Sequence, residues 1–248
     1  MGMKCAAISD IHIKNPEDEG YSLLLSFLSQ KEVKESSTWY FLGDIFDMMV
    51  GNHQEYLKVY PQFFALLGEF LSQGGSVHYL EGNHDFQLRA FFNDFLEAKK
   101  IPSSNFHYHS EAFEQNLEGS TFYFCHGDDI QTGNFGYIFL KNFLRNPISG
   151  FIINKLLSFS FLQKLGKLIS GNSRKYSQVD QEIVKKKFRK FARQFLQNHP
   201  SDFLICGHSH VLDDYWVEGR RYINLGFPPI SKKYLLIEGA NTQLMPLT

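Results

Sequence analysis

The sequence predicts an α/β fold in which short apolar strands alternate with helices. Its first half has the order strand, helix, strand, helix, strand, which is typical of a mixed or parallel sheet with crossover helices. Hydrophobic residues make up 43% of the 248 residues, so a sizeable core is available. Five apolar runs end in residue types that bind metal ions, which indicates a site at the ends of the strands.

Hydrophobic periodicity gives the elements of the first half. The predicted strands span residues 4–9, 38–42 and 76–81. The predicted helices span residues 20–30, 54–73 with an interruption at Pro61, and 85–100. Residues 106–117 and 121–125 are expected to form antiparallel strands around a turn at Glu118-Gly119.

Residues 134–170 differ in composition from the rest of the chain. Phe, Leu and Ile recur there at helical spacing, and five Lys or Arg residues occur without any Asp or Glu. Pro147 and Gly150 divide the segment into two predicted helices. This composition fits a membrane-surface or lipid-contacting element, and it also fits a helical subdomain that closes its own core. The absence of acidic residues favours contact with something anionic and apolar.

The remaining chain is expected to complete the core. A polar linker over 171–175 precedes a predicted helix over 177–198 and a predicted strand over 202–206. Short strands follow, at residues 215–218, 222–225 and 234–238. We expect this tail to form the second sheet of a sandwich. The core therefore comprises residues 1–133 and 171–248, with a helical insertion at 134–170.

Composition also limits which partners and which cellular compartment are expected. The net charge of −1 gives no indication of a nucleic-acid partner. Three cysteines, an odd number without close spacing, favour a reducing compartment, so we expect a cytoplasmic protein. No signal peptide is visible, and no run reaches the roughly 18 apolar residues that a spanning helix needs.

The candidate metal ligands follow the apolar runs directly. They are Asp10, His12, Asp44, Asn83, His126, His208 and His210. In extended chain, residues i and i+2 share a face, so Asp10 and His12 point the same way, as do His208 and His210. Seven groups suit two ions that share a carboxylate, and mixed imidazole, carboxylate and amide ligands suit Mn, Fe or Zn better than Ca or Mg. Two such ions about 3.5–4 Å apart can activate water and clamp a phosphoryl group.

Five short motifs occur in a fixed order. They are Asp10-x-His12, Gly43-Asp44-x-x-Asp47, Gly82-Asn83-His84-Asp85, His126-Gly127 and Gly207-His208-x-His210. Over residues 10–210 this series resembles the calcineurin-like metallophosphoesterases. The resemblance implies a two-sheet α-β-β-α sandwich flanked by helices.

The resemblance also implies roles for the motif residues. Asp10, His12 and His210 would hold one ion. Asn83, His126 and His208 would hold the other, and Asp44 would bridge the two. His84 would stabilise the leaving oxygen or the transition state, oriented by Asp85.

The other candidate residues receive structural interpretations. Asp47 is interpreted as a helix N-cap or first-turn acid. The histidines without a partner pattern are interpreted as structural or exposed, and they are His53, His78, His107, His109 and His199.

A narrower resemblance is to the UDP-2,3-diacylglucosamine diphosphatases of lipid A synthesis. It rests on His126-Gly127-Asp128, Thr132, Gly136-Tyr137, the helical insertion and Asn172-Ser173, with Phe46 and Phe86 fitting the same pattern. Those enzymes are peripheral membrane proteins, and their inserted helices hold acyl chains. The resemblance implies cleavage of a lipid-linked nucleotide sugar to UMP and 2,3-diacylglucosamine 1-phosphate at the inner face of the inner membrane. The implied substrate-binding residues are Asn83, His84, Asn134, Tyr137, Ser173, Arg174 and His208.

The sequence departs from that pattern in three respects. The well-known members carry Arg where His84 stands, Asp where Asn134 stands, and more basic and amide groups after Ser173. A metallophosphoesterase for another phosphodiester or nucleotide is therefore an alternative, and its insertion would be a lid or an oligomer contact. A non-catalytic scaffold on the same fold is a third hypothesis, against which the complete ligand set argues.

Overall fold

The computed structural model describes residues 2–130, 146, 149, 158–162, 164 and 180–247. The strands are β1 (Lys4–Ile8), β2 (Thr38–Leu42), β3 (Met49–Val50), β4 (Ser76–Leu80), β5 (Asp85–Phe86), β6 (Phe106–His109), β7 (Phe113–Leu117), β8 (Ser120–Cys125), β9 (Phe203–Cys206), β10 (Asp213–Val217), β11 (Arg220–Asn224), β12 (Lys233–Glu238) and β13 (Asn241–Pro246). The helices are α1 (Glu19–Ser29), α2 (Lys31–Lys34), α3 (Glu55–Val59), α4 (Pro61–Ser72), α5 (Arg89–Lys99), α6 (Gln181–Asn198) and α7 (Pro228–Ser231). Short 3₁₀ turns occur at Ser103–Asn105 and Asp128–Ile130.

The strands form two large sheets. The first has the order β13-β12-β1-β2-β4-β6, and the second has the order β10-β11-β9-β8-β7. Strands β1, β2, β4 and β6 run parallel to one another, as do β8, β9 and β11. The carboxyl ends of each parallel set therefore meet at one edge of its sheet. Strands β3 and β5 form a separate pair beside this edge.

Alternating side chains produce three packed interfaces. On β1, Ala6 and Ile8 pack into the cluster that includes α1, α4 and α5, whereas Cys5 and Ala7 pack into the cluster between the sheets. The outer face of the second sheet packs against α6 through Phe188, Ala192 and Leu196. Apolar residues on both faces of a strand require such a position between two layers. The layer order is helix, sheet, sheet, helix, which confirms the expected sandwich.

Local signals account for where the helices begin. The Asp18 carboxylate accepts a hydrogen bond from the Gly20 amide at 2.8 Å and caps α1. Pro61 stands at the first position of α4, where no intrahelical donor is needed. The interruption expected at Pro61 is therefore the boundary between α3 and α4. Asp180 caps α6 in the same way as Asp18 caps α1.

The structure corrects the predicted arrangement of three segments. The helix expected over 85–100 begins only at Arg89, because Asp85–Phe86 pairs with Met49–Val50. The strand expected over 106–117 is two strands, of which β6 joins the first sheet and β7 joins the second.

The tail also does not lie wholly in the second sheet, because β12 and β13 return to the first. On β12, Leu236 packs towards the helices and Leu235 packs between the sheets. This strand is apolar on both faces, so an interior position beside β1 buries both of them.

The described part of the expected insertion contacts α3. The Phe159 ring packs edge-on against Tyr56 with centroids 5.1 Å apart, and it lies 6.2 Å from the ring of His53. Leu162 is buried. The rest of the segment 134–170, with its two expected helices, lies outside the described residues. Among the residues that the structure describes, no helix is long and apolar enough to cross a membrane.

Candidate active site

The candidate ligands lie together just beyond the strand ends of both sheets. Asp10 and His12 follow β1, Asp44 follows β2, and Asn83 follows β4 in the first sheet. His126 follows β8 of the second sheet, while His208 and His210 follow β9. The structure therefore brings together all seven residues predicted from the strand-end pattern, from positions up to 200 residues apart.

An unusual backbone conformation turns these side chains towards one point. Five of the residues have a positive φ: Asp10 (52°), His12 (53°), Asp44 (54°), His208 (64°) and His210 (57°). For residues other than glycine this region costs about 1–2 kcal/mol each, so the surrounding structure must hold it in place. Inter-loop hydrogen bonds contribute to this, because the Asp10 amide donates to Gly43 O and the His12 amide donates to Asp44 O, both at 3.0 Å.

The first ligand group consists of Asp10, His12 and His210, whose ligand atoms lie within 4.8 Å of one another. His12 Nε2 lies 3.0 Å from His210 Nε2. His210 Nε2 lies 3.5 Å from Asp10 Oδ1. Both carboxylate oxygens of Asp10 also accept from the His208 amide, at 3.0 and 2.9 Å, which ties the loop after β9 to the end of β1.

The second ligand group consists of Asp44, His126 and His208. His126 Nε2 lies 3.4 Å from Asp44 Oδ2, 3.2 Å from Asn83 Oδ1 and 3.3 Å from His208 Nδ1. Asp44 Oδ2 also lies 3.5 Å from His12 Nε2 of the first group. Asp44 is therefore the carboxylate between the two groups, as the shared-ligand interpretation requires.

The contacts of His126 test whether this site fits a cation. Its Nδ1 lies 2.9 Å from Leu42 O, a contact that requires the proton on Nδ1. In the neutral imidazole, the Nε2 lone pair then faces the oxygens of Asp44 and Asn83, and this arrangement is favourable only when Nε2 carries a proton or binds a cation. A backbone carbonyl that fixes one ring nitrogen while the other faces the site is typical of metal-binding histidines. The donor set fits a divalent ion.

The electrostatics of the protein groups support the same interpretation. Burial lowers the pKa of His126, but the charge and hydrogen bond of Asp44 and the charge of Asp10 outweigh this and raise the pKa well above its ordinary value. Burial raises the pKa of Asp44, but the nearby imidazoles, His126 first among them, hold that pKa well below its usual range. The site therefore favours a positive charge beside an ionised carboxylate.

Asp85 contacts the backbone around Asp44, and this corrects the expectation that it orients His84. Its carboxylate is fully buried and accepts from the amides of Asp44 and Ile45 at 2.8 Å and of Gly82 at 2.9 Å. The Tyr79 hydroxyl donates to it at 2.6 Å. Asp85 thus fixes the turn that presents Asp44. Burial and the charge of Asp44 raise its pKa to about 6.

Asp47 lies beside the His84 ring, and its interpretation as a helix cap is wrong. It is buried in the loop between β2 and β3, and the next helix begins only at Glu55. His84 Nδ1 lies 2.9 Å from the Asp47 carbonyl oxygen and 3.8 Å from Asp47 Oδ1. The same carboxylate oxygen lies 3.6 Å from His12 Nδ1. The Gly-Asp-x-x-Asp spacing was the available sequence signal for this role.

His84 belongs to a third group that overlaps the first two. Its ligand atom, with those of His12 and Asp44, lies within 4.8 Å. The His84 amide also donates to Asp44 Oδ1 at 2.9 Å. The His84 side chain is thus adjacent to both ligand groups, where a phosphoryl group held between them would lie.

The remaining histidines of the sequence lie away from this cluster. His78 on β4 lies beside His107 and His109 on β6, whose ring centroids are 4.4 and 5.2 Å from that of His78. Burial lowers the pKa of His78 to about 3 and that of His109 to about 4.

The expected substrate residues Asn134, Tyr137, Ser173 and Arg174 lie outside the described residues.

Comparisons with known proteins show the family to which this chain belongs. The model of the calcineurin-like phosphoesterase family matches residues 3–212. A UDP-2,3-diacylglucosamine hydrolase of Porphyromonas gingivalis is 26% identical over 195 residues, which cover 73% of this chain and 71% of that protein. One of Stutzerimonas stutzeri is 24% identical over 216 residues, covering 86% of this chain and 85% of that protein.

A solved archaeal phosphodiesterase has a TM-score of 0.48 and 12% identity, over 99% of this chain and all of that one.

The family match spans most of the chain and includes every candidate ligand. The chain therefore belongs to the calcineurin-like phosphoesterase family and is a metal-dependent phosphoester hydrolase.

Proposed function

We propose that this protein hydrolyses the pyrophosphate of UDP-2,3-diacylglucosamine, releasing UMP and 2,3-diacylglucosamine 1-phosphate. The observation that carries the reaction class is the pair of ligand groups on either side of Asp44. The substrate is taken from the relatives named UDP-2,3-diacylglucosamine hydrolase, which align over most of the chain.

Two divalent ions complete the proposed site. Asp10, His12 and His210 would hold one ion, and Asn83, His126 and His208 would hold the other, with the Asp44 carboxylate available to both. Manganese is the preferred ion and Fe or Zn are alternatives, because the ligands mix imidazole with oxygen donors. Such ions would place positive charge beside the phosphoryl oxygens. They would also lower the pKa of water, so that hydroxide is available at neutral pH to attack phosphorus.

His84 is the proposed proton donor to the leaving oxygen. Because its Nδ1 proton points at the Asp47 carbonyl oxygen, the Nε2 atom is the one left for the substrate. The imidazolium form transfers its Nε2 proton to the leaving phosphate oxygen as the P–O bond breaks. The Asp47 carboxylate lies 3.8 Å from the same Nδ1 atom, and Asp85 acts only through the position of Asp44.

The apolar end of the substrate is assigned to the insertion. Its apolar residues at helical spacing suit contact with the acyl chains. Its basic residues and its lack of acidic residues suit the anionic headgroup. The proposed substrate contacts are Asn134 and Tyr137 of the insertion, Ser173 and Arg174 of the linker that follows it, and Asn83, His84 and His208 of the core. The same composition supports peripheral contact of a cytoplasmic protein with the inner face of the inner membrane.

The test is release of UMP from UDP-2,3-diacylglucosamine in detergent micelles with added Mn²⁺. Asp44→Asn should abolish release. The matched control is Asp214→Asn, which changes a carboxylate on β10 that is paired with Arg221 and is not a candidate ligand. UDP-glucosamine without acyl chains should react more slowly. Absence of UMP alongside rapid turnover of soluble phosphodiesters would contradict the lipid assignment.

A second function is favoured by one feature of the site. His84 replaces the Arg of the well-known diphosphatases, and its contact with Asp47 forms a complete proton-donor arrangement within the core. A hydrolase for another phosphodiester or nucleotide would need no more than this. A panel of soluble diesters and nucleotides, ranked by kcat/KM against the lipid substrate, separates the two functions.

A further inference from the structure

A buried amide at the end of β11 ties two loops together near the first ligand group. Asn224 is fully buried and pairs in register with Cys206, the last residue of β9. Its Nδ2 donates to Gly207 O at 2.8 Å, and its Oδ1 accepts from the Gly226 amide at 3.1 Å. The loop that carries His210 is therefore attached to the loop after β11.

Gly226 lets these two loops run in contact. Its φ is +71°, and a Cβ at this position would lie 2.8 Å from the backbone nitrogen of Leu212 and 2.9 Å from the Cα. Only glycine fits both the conformation and the space. The close approach brings the next residue, Phe227, beside His210.

The Phe227 ring covers one face of the His210 imidazole. The ring centroids are 5.0 Å apart and the planes differ by 18°, while the His12 ring lies 6.2 Å from Phe227 at 56°. The backbone of Phe227 is held in turn, because its carbonyl accepts from the amides of Ile230 and Ser231, both at 2.9 Å. The ring thus stands on a fixed support.

His210 needs such a support more than the other ligands do. Its side chain is 44% exposed, whereas Asp10 beside it is fully buried. An exposed imidazole samples several orientations, and holding it in one conformation before an ion binds avoids that entropic cost. The stacked ring restricts rotation of His210 without occupying either ring nitrogen.

We propose that Phe227 is a positioning residue for the ligand His210, held in place by Asn224 and Gly226. This inference rests on the proposed function, because it requires Asp10, His12 and His210 to bind an ion. It assigns Phe227 to one ligand group only. Loss of the ring lowers the affinity of that group for its ion. The affinity of the group formed by Asp44, His126 and His208 stays unchanged.

The experiment titrates metal-free protein with Mn²⁺ and counts bound ions from the free-ion EPR signal. Phe227→Leu should lower the affinity for one of the two ions by about 10-fold to 100-fold, which is the usual effect of losing a residue that orients a ligand. Phe227→Tyr keeps the ring and should bind both ions normally. The matched control is Phe113→Leu, since Phe113 is also half-buried and stacks on a histidine, His109, at 3.7 Å and 11°.

The outcomes separate the two levels of inference. If the wild type binds two ions and Phe227→Leu binds both as tightly, the positioning role is refuted and the proposed function stands. Equal weakening in Phe227→Leu and Phe113→Leu would also refute it, because the effect would be general destabilisation. If the wild type binds no Mn²⁺ and metal analysis finds no bound Fe or Zn, the proposed function and the positioning role fall together.

Discussion

A single methyl group added at Gly82 should separate Asp44 from its binding position. Gly82 precedes Asn83 on the loop after β4, and that loop passes directly over the turn that carries Asp44. A Cβ on Gly82 would lie 2.1 Å from Asp44 Oδ1, 2.3 Å from Asp44 N and 2.8 Å from Asp44 Cγ. No rotation of one side chain relieves all three contacts, because one of them is with the backbone.

The size of the effect follows from these distances. Carbon atoms in ordinary contact with other heavy atoms lie about 3.5 Å or more apart, so the two loops must separate by roughly 1 Å. Overpacking of this kind costs about 1–3 kcal/mol of stability. A displacement of about 1 Å at a reacting centre can lower the rate about 100-fold, so Gly82→Ala should lose about that factor in kcat.

The assay compares kcat on a soluble phosphodiester in Mn²⁺ with the free energy of unfolding in urea. The matched control is Gly68→Ala in α4, where the nearest atom to the new Cβ is Phe95 Cζ at an ordinary 3.5 Å. This control should keep full activity and gain up to about 1 kcal/mol, because alanine is the better helix former. If Gly82→Ala keeps both its rate and its Mn²⁺ affinity, Asp44 does not occupy the position that links the two ligand groups.

Three further changes test neighbouring contacts. Tyr79→Phe removes the hydroxyl bond to Asp85 and should lower the free energy of unfolding by about 1.5–3 kcal/mol, measured in urea; an unchanged value would contradict that bond. Asp47→Asn should reduce kcat by about 10-fold to 100-fold with little change in KM, by analogy with other residues that orient site histidines; a pure KM effect would argue against its contact with His84. Unfolded His78 titrates near 6.5 and folded His78 near 3, so the unfolded chain binds an extra proton between those values. The stability that His78 contributes is therefore complete above about pH 6.5 and falls with acidification by about 1.4 kcal/mol per pH unit, so the slope of the free energy of unfolding against pH between pH 4 and 6 should differ by about that amount between His78→Phe and the wild type, measured in urea.

The strand-end ligands were predictable because their pattern is local. An apolar run followed by Asp10-x-His12 or His208-x-His210 gives both the strand and the shared face. Because parallel strands present their carboxyl ends at one edge of a sheet, the residues that follow the strands are expected to meet there. The sandwich could be expected for the same reason, since short runs that are apolar on both faces need a packed layer on each side.

The roles of Asp47 and Asp85 were not predictable from spacing because their contacts are long-range. Asp85 follows His84 directly, but adjacent residues in an extended segment point to opposite faces. Its carboxylate turns away and binds amides 40 and 41 positions earlier in the chain. The tail shows the same limit, since β12 has the composition of a buried strand in either sheet.

Each ligand group draws on both sheets. Asp10, His12 and Asp44 stand on the first, whereas His126, His208 and His210 stand on the second, and neither sheet alone offers a full set to either ion. Bound metal would therefore act as a cross-link between two layers that otherwise adhere through apolar contacts and hydrogen bonds such as that from the His208 amide to Asp10. The sandwich should then melt at a temperature that rises with free Mn²⁺, as expected for any ligand that binds only the assembled form. Chelation would loosen the junction between the layers before it disturbed either sheet.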